Sequence, residues 1–223
     1  MGTLVIAVDG SAGSGKSSTS RGVAERLGLR YLDTGAMYRA VTWHLLTRGV
    51  DLDDAEAVAD CAAEAEIVSG TDALTPTITL GGVDVSVQIR SDETMAAVSQ
   101  VSAVPRVRQQ LRDLQRSIIG PGGIVVEGRD IGTVVAPEAG LKIYLMADPS
   151  ARATRRAAEL TDLHEREVAA VQADLLRRDR FDSTRAASPL SAAGDAVVLD
   201  STYLSLEQVI GEIVTLARER ASR

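Results

Sequence analysis

"TLVIAVDGSAGSGKSS", residues 3–18, joins a short apolar run to a glycine-rich loop. Thr3 to Val8 is uncharged and β-branched, which is how a strand buried on both faces of a parallel sheet reads. Gly10 to Ser17, "GSAGSGKS", then fits G-x-x-x-x-G-K-[ST], and a helix is predicted from about Lys16 to Leu27. In the order strand, loop, helix, the residues Gly10, Ser11, Ala12, Gly13, Ser14, Gly15, Lys16, Ser17 and Ser18 can turn successive N–H groups toward one anion. The helix N-terminus adds its positive end. Lys16 is placed to reach the β and γ phosphates of a nucleoside triphosphate, and the Ser17 hydroxyl to ligate magnesium. Such a loop says that a triphosphate is bound; it does not say what is done with it.

Working outward, apolar segments recur at Arg30 to Leu32, Gly123 to Val126, Lys142 to Met146 and Ala196 to Leu199, separated by helical stretches. That alternation predicts an α/β fold around a five-stranded parallel sheet. Pro105 opens one helix, Asp148 with Pro149 caps another, and Ser205 with Gln208 has capping-box spacing before the last. One piece breaks the alternation. In "TPTITLGGVDVSVQI", Ile78 and Leu80, then Val83, Val85, Val87 and Ile89, alternate on either side of Gly81-Gly82, which predicts an antiparallel insert over about 67–89.

The bulk composition excludes several classes. A chain of 223 residues is expected to form one domain with an insert. No apolar run approaches the roughly 18 residues needed to span a bilayer, so a cytoplasmic protein without a membrane partner is expected. Cys61 is the only cysteine and His44 and His164 the only histidines, so no Cys/His zinc cluster is available. A net charge of −7 argues against broad nucleic-acid binding. That charge is uneven: Asp51 to Ile89 holds nine acidic residues and no Lys or Arg, leaving the remainder near neutral and rich in arginine. The sequence contains no asparagine, which removes the Asn-Lys-x-Asp guanine-reading motif and with it the GTPases. ATP-driven motors, for which Glu127 would supply the water-activating acid, and small-molecule kinases remain.

Four further stretches bear on that choice. "LDTGAMYRA", from Leu32, starts a helix with Asp33, Thr34 and Gly35 and carries Arg39; Asp33 or Thr34 could serve simply as its cap. "GRDIGTVV" sets Arg129 and Asp130 at the C-terminal end of a predicted parallel strand, where ligands bind in open α/β sheets, although a structural ion pair reads the same way. "DPSARATRRAAEL" clusters Arg152, Arg155 and Arg156, with Arg152 and Arg156 on one helical face, the usual sign of a solvated surface. "RRDRFDSTRAASPL" spaces Arg178, Asp182 and Arg185 along one side of a helix end. Arginines beside a phosphate loop suit phosphoryl transfer, where fixed guanidinium groups stabilise spread negative charge.

Together "GSAGSGKSS", "YLDTGAMYRA", "VSQVSAVPRVR", "EGRDIGTVV" and "RRDRFDSTRAASPL" resemble the bacterial cytidylate kinase family, in order and spacing over essentially the full chain. The resemblance implies a P-loop nucleoside monophosphate kinase fold. Its five-stranded parallel sheet would have helices on both faces, an acceptor-binding region over 33–100 that includes the insert, and a lid over 150–185. It implies ATP and magnesium as donor and cofactor, CMP or dCMP as acceptor, and a monomer. Thr34, Arg39, Arg129 and Arg185 would hold the acceptor phosphate, Ser99, Arg108 and Asp130 would read cytosine, and Arg178 and Asp182 would meet the ribose. Lys16, Arg129 and Arg185 with the lid arginines Arg152 and Arg156 would stabilise the transferring group, and Ser17 would be the metal ligand. Glu127 stands where the family often has Asp. Two alternatives are kept: a metabolite kinase of the shikimate kinase type, with Asp33 as the base for a hydroxyl acceptor, and a nucleotide-binding regulatory module without turnover.

Overall fold

The structure, a computed structural model, describes residues 2–158, 165–185 and 188–222, with side chains except at 156, 158 and 165–168. His164 lies outside the described residues, as does the side chain of Arg156. Five parallel strands, β1 (Val5–Gly10), β2 (Arg30–Asp33), β6 (Ile124–Gly128), β7 (Leu141–Met146) and β8 (Val197–Asp200), form one sheet in the order β2-β6-β1-β7-β8. Alternation along the strands divides the core in two. Ile6, Val8 and Val125 pack with α1 (Lys16–Leu27) and α8 (Leu206–Ala221). Ala7, Ile124 and Val126 pack with α2 (Thr34–Thr47), α3 (Ala55–Ala63) and α5 (Pro105–Ile119). Both faces are therefore covered, which is why these strands read as continuous apolar runs.

Four strands run further than their apolar runs, β1 through Asp9 to Gly10, β2 to Asp33, β6 through Glu127 to Gly128 and β8 to Asp200. Hydrogen bonding continues into polar residues at one edge of the sheet, and that edge carries the chemistry described below.

The insert is a second, antiparallel sheet of β3 (Ile67–Ser69), β4 (Ile78–Leu80) and β5 (Val83–Asp84). Leu80 pairs with Val83 across Gly81-Gly82, whose φ angles of 55° and 79° fit the two-residue hairpin turn. The expected second strand through Ile89 does not form. The Asp84 carboxylate accepts from the Ser86 N–H at 2.7 Å, an Asx turn that ends β5 after two residues. Gln88–Arg90 then makes a 3₁₀ turn, burying Val85 and Ile89 and leaving Val87 81% exposed. Helix α4 (Asp92–Val101) follows, capped by Ser91, and the chain ends with the reciprocal Ser205–Gln208 capping box on α8. Helices α6 (Pro149–Ala158) and α7 (Glu165–Thr184) pack against each other beside the glycine-rich loop. Among the described residues, no helix is long and apolar enough to cross a membrane.

Candidate active site

A cleft of about 620 Å³ opens at the C-terminal edge of β1, β2 and β6 and is walled by α4, α5 and α7. Its floor is the loop between β1 and α1. A Cβ at Gly10 would stand 2.0 Å from the Leu145 carbonyl oxygen, so the loop can leave β1 beside β7 only with glycine there. Gly15, at φ 86°, caps α1 without a side-chain hydrogen bond, leaving the first helical N–H groups for a ligand. Lys16 folds back on the loop, donating to the Ser11 carbonyl at 2.6 Å and the Ser14 hydroxyl at 3.4 Å. Burial, and then the neighbouring Arg129, push its ammonium pKa well down, which an arriving polyanion would reverse.

Behind the loop, Glu127 is 4% exposed, and its carboxylate accepts from the Ser17 hydroxyl at 3.0 Å and from the Tyr31 hydroxyl. Burial and nearby Asp33 drive its pKa up. Asp9 accepts from the N–H groups of Ile131 and Gly132 at 2.8 and 2.7 Å, fixing the π-helical turn Ile131–Val135 after β6; burial still raises its pKa to about 6.

Beyond the loop, Asp33 does cap α2, taking the Ala36 N–H at 2.9 Å, and its second oxygen holds Arg39 at 3.0 Å. The Thr34 hydroxyl donates to the Glu127 carbonyl at 2.7 Å. Arg108 and Asp130 form a buried pair at 2.5 Å, with Arg108 also donating to the Ser102 carbonyl at 3.1 Å and lying 5.4 Å from the centre of the Tyr38 ring. Asp182 is shared by Arg129 at 3.0 Å and Arg185 at 3.6 Å. Burial, then Arg129, lowers the Arg178 pKa, and burial, then Arg108, that of Arg185: cations crowded out of water.

Thr34, Arg39, Ser99, Arg108, Arg129, Asp130, Arg178, Asp182 and Arg185 all line this cleft together with Ala12 to Ser18. Gly10 and Ser11 do not line the cleft. Arg155 lines the cleft, with its guanidinium on the Ser201 hydroxyl at 3.1 Å, but Arg152 does not; it is 4% exposed and turned onto Ala12 and Asp179. Nine basic side chains line the cleft against four acidic ones, so it is positive inside a chain of net charge −7. Arg39 Nε, Arg108 Nε and Arg185 Nη2 are buried donors without a hydrogen-bond partner among the described residues.

Reading the sequence missed Tyr38, Asp9 and Asp179. All three stand inside quoted stretches, and Asp9 was visible as the charge ending an apolar strand; Asp179 had no signal apart from its arginine neighbours. Away from the cleft, His44, Cys61 and Glu64 lie close together. The Arg48 guanidinium is 2.7 Å from His44 Nδ1, a cationic donor where a metal-bound imidazole needs an acceptor for its second nitrogen.

The chain matches the cytidylate kinase family over residues 6–219. A cytidylate kinase from Streptomyces coelicolor is 55% identical over 221 residues, covering 97% of this chain and 94% of its own. One from Streptomyces avermitilis is 52% identical over 219 residues, again covering 97% and 94%. The solved structure of an uncharacterized protein from Eubacterium ventriosum shares the fold with a TM-score of 0.55 at 8% identity, covering 96% of this chain and 98% of that one. With a match that runs from β1 into α8 and so takes in the phosphate loop and every lining arginine, the chain belongs to the cytidylate kinase family.

Proposed function

We propose that the chain transfers the γ-phosphoryl group of ATP to CMP or dCMP, giving ADP and the nucleoside diphosphate. The observation that carries the reading is one cleft with a phosphate loop at one end, a buried Arg108–Asp130 pair at the other, and an excess of arginine between them. Ser99, Arg108 and Asp130 read the base: a carboxylate accepts from the exocyclic amine of cytosine, whereas uracil would face it with a second acceptor. Arg178 and Asp182 meet the ribose. Thr34, Arg39, Arg129 and Arg185 hold the acceptor phosphate, and Lys16 with Arg129 and Arg185 stabilises charge on the transferring group.

Magnesium fits the donor set beside the loop. Ser17 and Glu127 offer hard oxygen ligands, and a buried carboxylate whose pKa is raised by burial is stabilised by a divalent cation. When bound, the ion neutralises charge shared by the β and γ phosphates. Tyr31 and Ser17 hold the Glu127 carboxylate in place for that role. No general base is needed, because a phosphate monoester has a second pKa of about 6 and its attacking oxygen is already largely anionic at pH 7. The chain's task is to align two phosphates and exclude water.

Residues 33–100 form the acceptor-binding region, with the insert at 67–89, and 150–185, of which 159–164 lie outside the described residues, form a lid that closes over both nucleotides. One chain supplies every residue named for both nucleotides, which supports a monomer; the cytoplasm is where we place it. A hydroxyl acceptor is less well supported, since both oxygens of Asp33 are already engaged by the α2 cap and Arg39.

The test is ADP formation with ATP and magnesium against CMP, dCMP, UMP, AMP, GMP and shikimate. Turnover concentrated on CMP and dCMP is expected; ATP binding with silence across the panel would refute the reading.

A further inference from the structure

One residue of the phosphate loop, Ala12, is held at both its N–H and its carbonyl by side chains from α6 and α7. The Ala12 N–H donates to Asp179 Oδ1 at 3.0 Å, and the Ala12 carbonyl accepts from Arg152 Nη1 at 2.8 Å. That same Arg152 nitrogen lies 2.5 Å from Asp179 Oδ2, which closes a ring of three residues: Ala12, Arg152 and Asp179. The pair is not a solvated surface bridge, for the side chains of Arg152 and Asp179 are 5% and 17% exposed. Ala12, Ala153 and Leu175 form a small apolar cluster under it, so packing and hydrogen bonding hold the loop in the same place.

We infer that Asp179 is a positioning residue: directly at the N–H, and through Arg152 at the carbonyl, it pins the Ala12 backbone and so pre-sets the phosphate cradle before ATP arrives. Glycine-rich loops have much backbone freedom to lose when they close on an anion, and a loop already fixed loses less on binding. The pin also gives Arg152 a task distinct from that of a lid arginine touching the transferred group. Its guanidinium is used on the loop's backbone, and Arg155 is the described arginine of α6 that lines the cleft. The inference rests on reading Gly10 to Ser17 as the ATP site.

Three measurements test it on the full chain. In Asp179→Ala, with no acceptor present, ATP affinity should fall about tenfold, the scale of one charge-assisted hydrogen bond. KM for ATP should rise in parallel while KM for CMP stays within about twofold. The Ala12 amide should exchange its hydrogen faster, and Arg152→Ala should reproduce the loss, with the double variant no worse than the worse single one. Asp179→Asn, which keeps an acceptor for the Ala12 N–H but not the charge, should fall between and guards against a folding defect. ATP affinity within about twofold of the unaltered chain in a folded Asp179→Ala variant, or losses that multiply in the double variant, would overturn the inference. Amide exchange needs no nucleotide and the ATP titration needs no acceptor, so a failed CMP assay would refute the proposed reaction without touching either result.

Discussion

Replacing Asp130 with Ala separates two tasks of one carboxylate, the observed one of counter-charge to Arg108 and the proposed one of acceptor for the cytosine amine. The pair lies at 2.5 Å with side chains 8% and 7% exposed, and removing one partner of such a pair typically costs about 3–5 kcal/mol, because the other charge is left buried and unpaired. Arg108 keeps the Ser102 carbonyl and the Tyr38 ring, which places the expected stability loss near the lower end of that range. That loss falls on every substrate alike. The base-reading loss falls on CMP, at about 1–3 kcal/mol, or roughly a 5- to 150-fold drop in the ratio of kcat/KM for CMP over UMP. A ratio of two substrates on one enzyme sample cancels any change in the folded fraction, so it reads base recognition alone. Asp130→Asn is the companion variant, since its amide can still accept from Arg108 while offering an N–H to uracil, and it should move the ratio the same way with a smaller loss of stability. Equal loss of kcat/KM for CMP and UMP in both variants would refute the reasoning and leave Asp130 as scaffold.

Lys16→Ala should abolish phosphoryl transfer and leave the unfolding midpoint unchanged or higher, because burial makes its charge costly in the folded state; an active variant would remove the loop from the mechanism. Asp33→Asn keeps an acceptor for the α2 cap and weakens only the hold on Arg39, so kcat should fall by less than about tenfold, whereas a loss of several hundredfold would point to a hydroxyl acceptor. Asp9 titrates in the fold at about 6, above its ordinary 3.8, so its protonated form contributes stability that is fully present below pH 3.8 and lost as pH rises through 6, roughly 3 kcal/mol in all. Asp9→Asn does not titrate; urea unfolding at pH 4, 5 and 7 should show its stability relative to the unaltered chain improving as pH rises, and parallel curves would exclude the buried charge as the cause.

The first 27 residues were legible because strand, loop and helix each carried an independent signal, and the structure agrees with their order, β1 starting at Val5 rather than Thr3 and running on through Asp9 to Gly10. The arginines were legible as a group because no sequence needs so many beside a phosphate loop for packing alone. The second half of the insert was not, since Val83, Val85, Val87 and Ile89 keep a strand's alternation whether or not Asp84 turns the chain at Ser86. Asp179 was hidden for a different reason. Its partner, the Ala12 N–H, is 167 positions away, and a backbone group has no side chain for a sequence pattern to report.

A cleft that must attract phosphates has to keep its arginines folded before any phosphate is present, and the pairing pattern meets that need without neutralising the site. Asp33 holds Arg39, Asp130 holds Arg108, and the single Asp182 serves both Arg129 and Arg185. Each carboxylate fixes a guanidinium that would otherwise be desolvated alone, at a cost that burial would make severe. Because a guanidinium carries five N–H donors and a carboxylate engages one or two of them, part of each fork stays available to a phosphate. Sharing Asp182 between two arginines leaves local positive charge in excess, as does the wider balance of nine basic against four acidic lining residues. The nine acidic residues of Asp51 to Ile89 do not undo this, for none of them lines the cleft, and salt screens charges that face solvent. An overall acidic chain can therefore bind two anionic nucleotides side by side, provided its arginines line the site and its surplus acids do not.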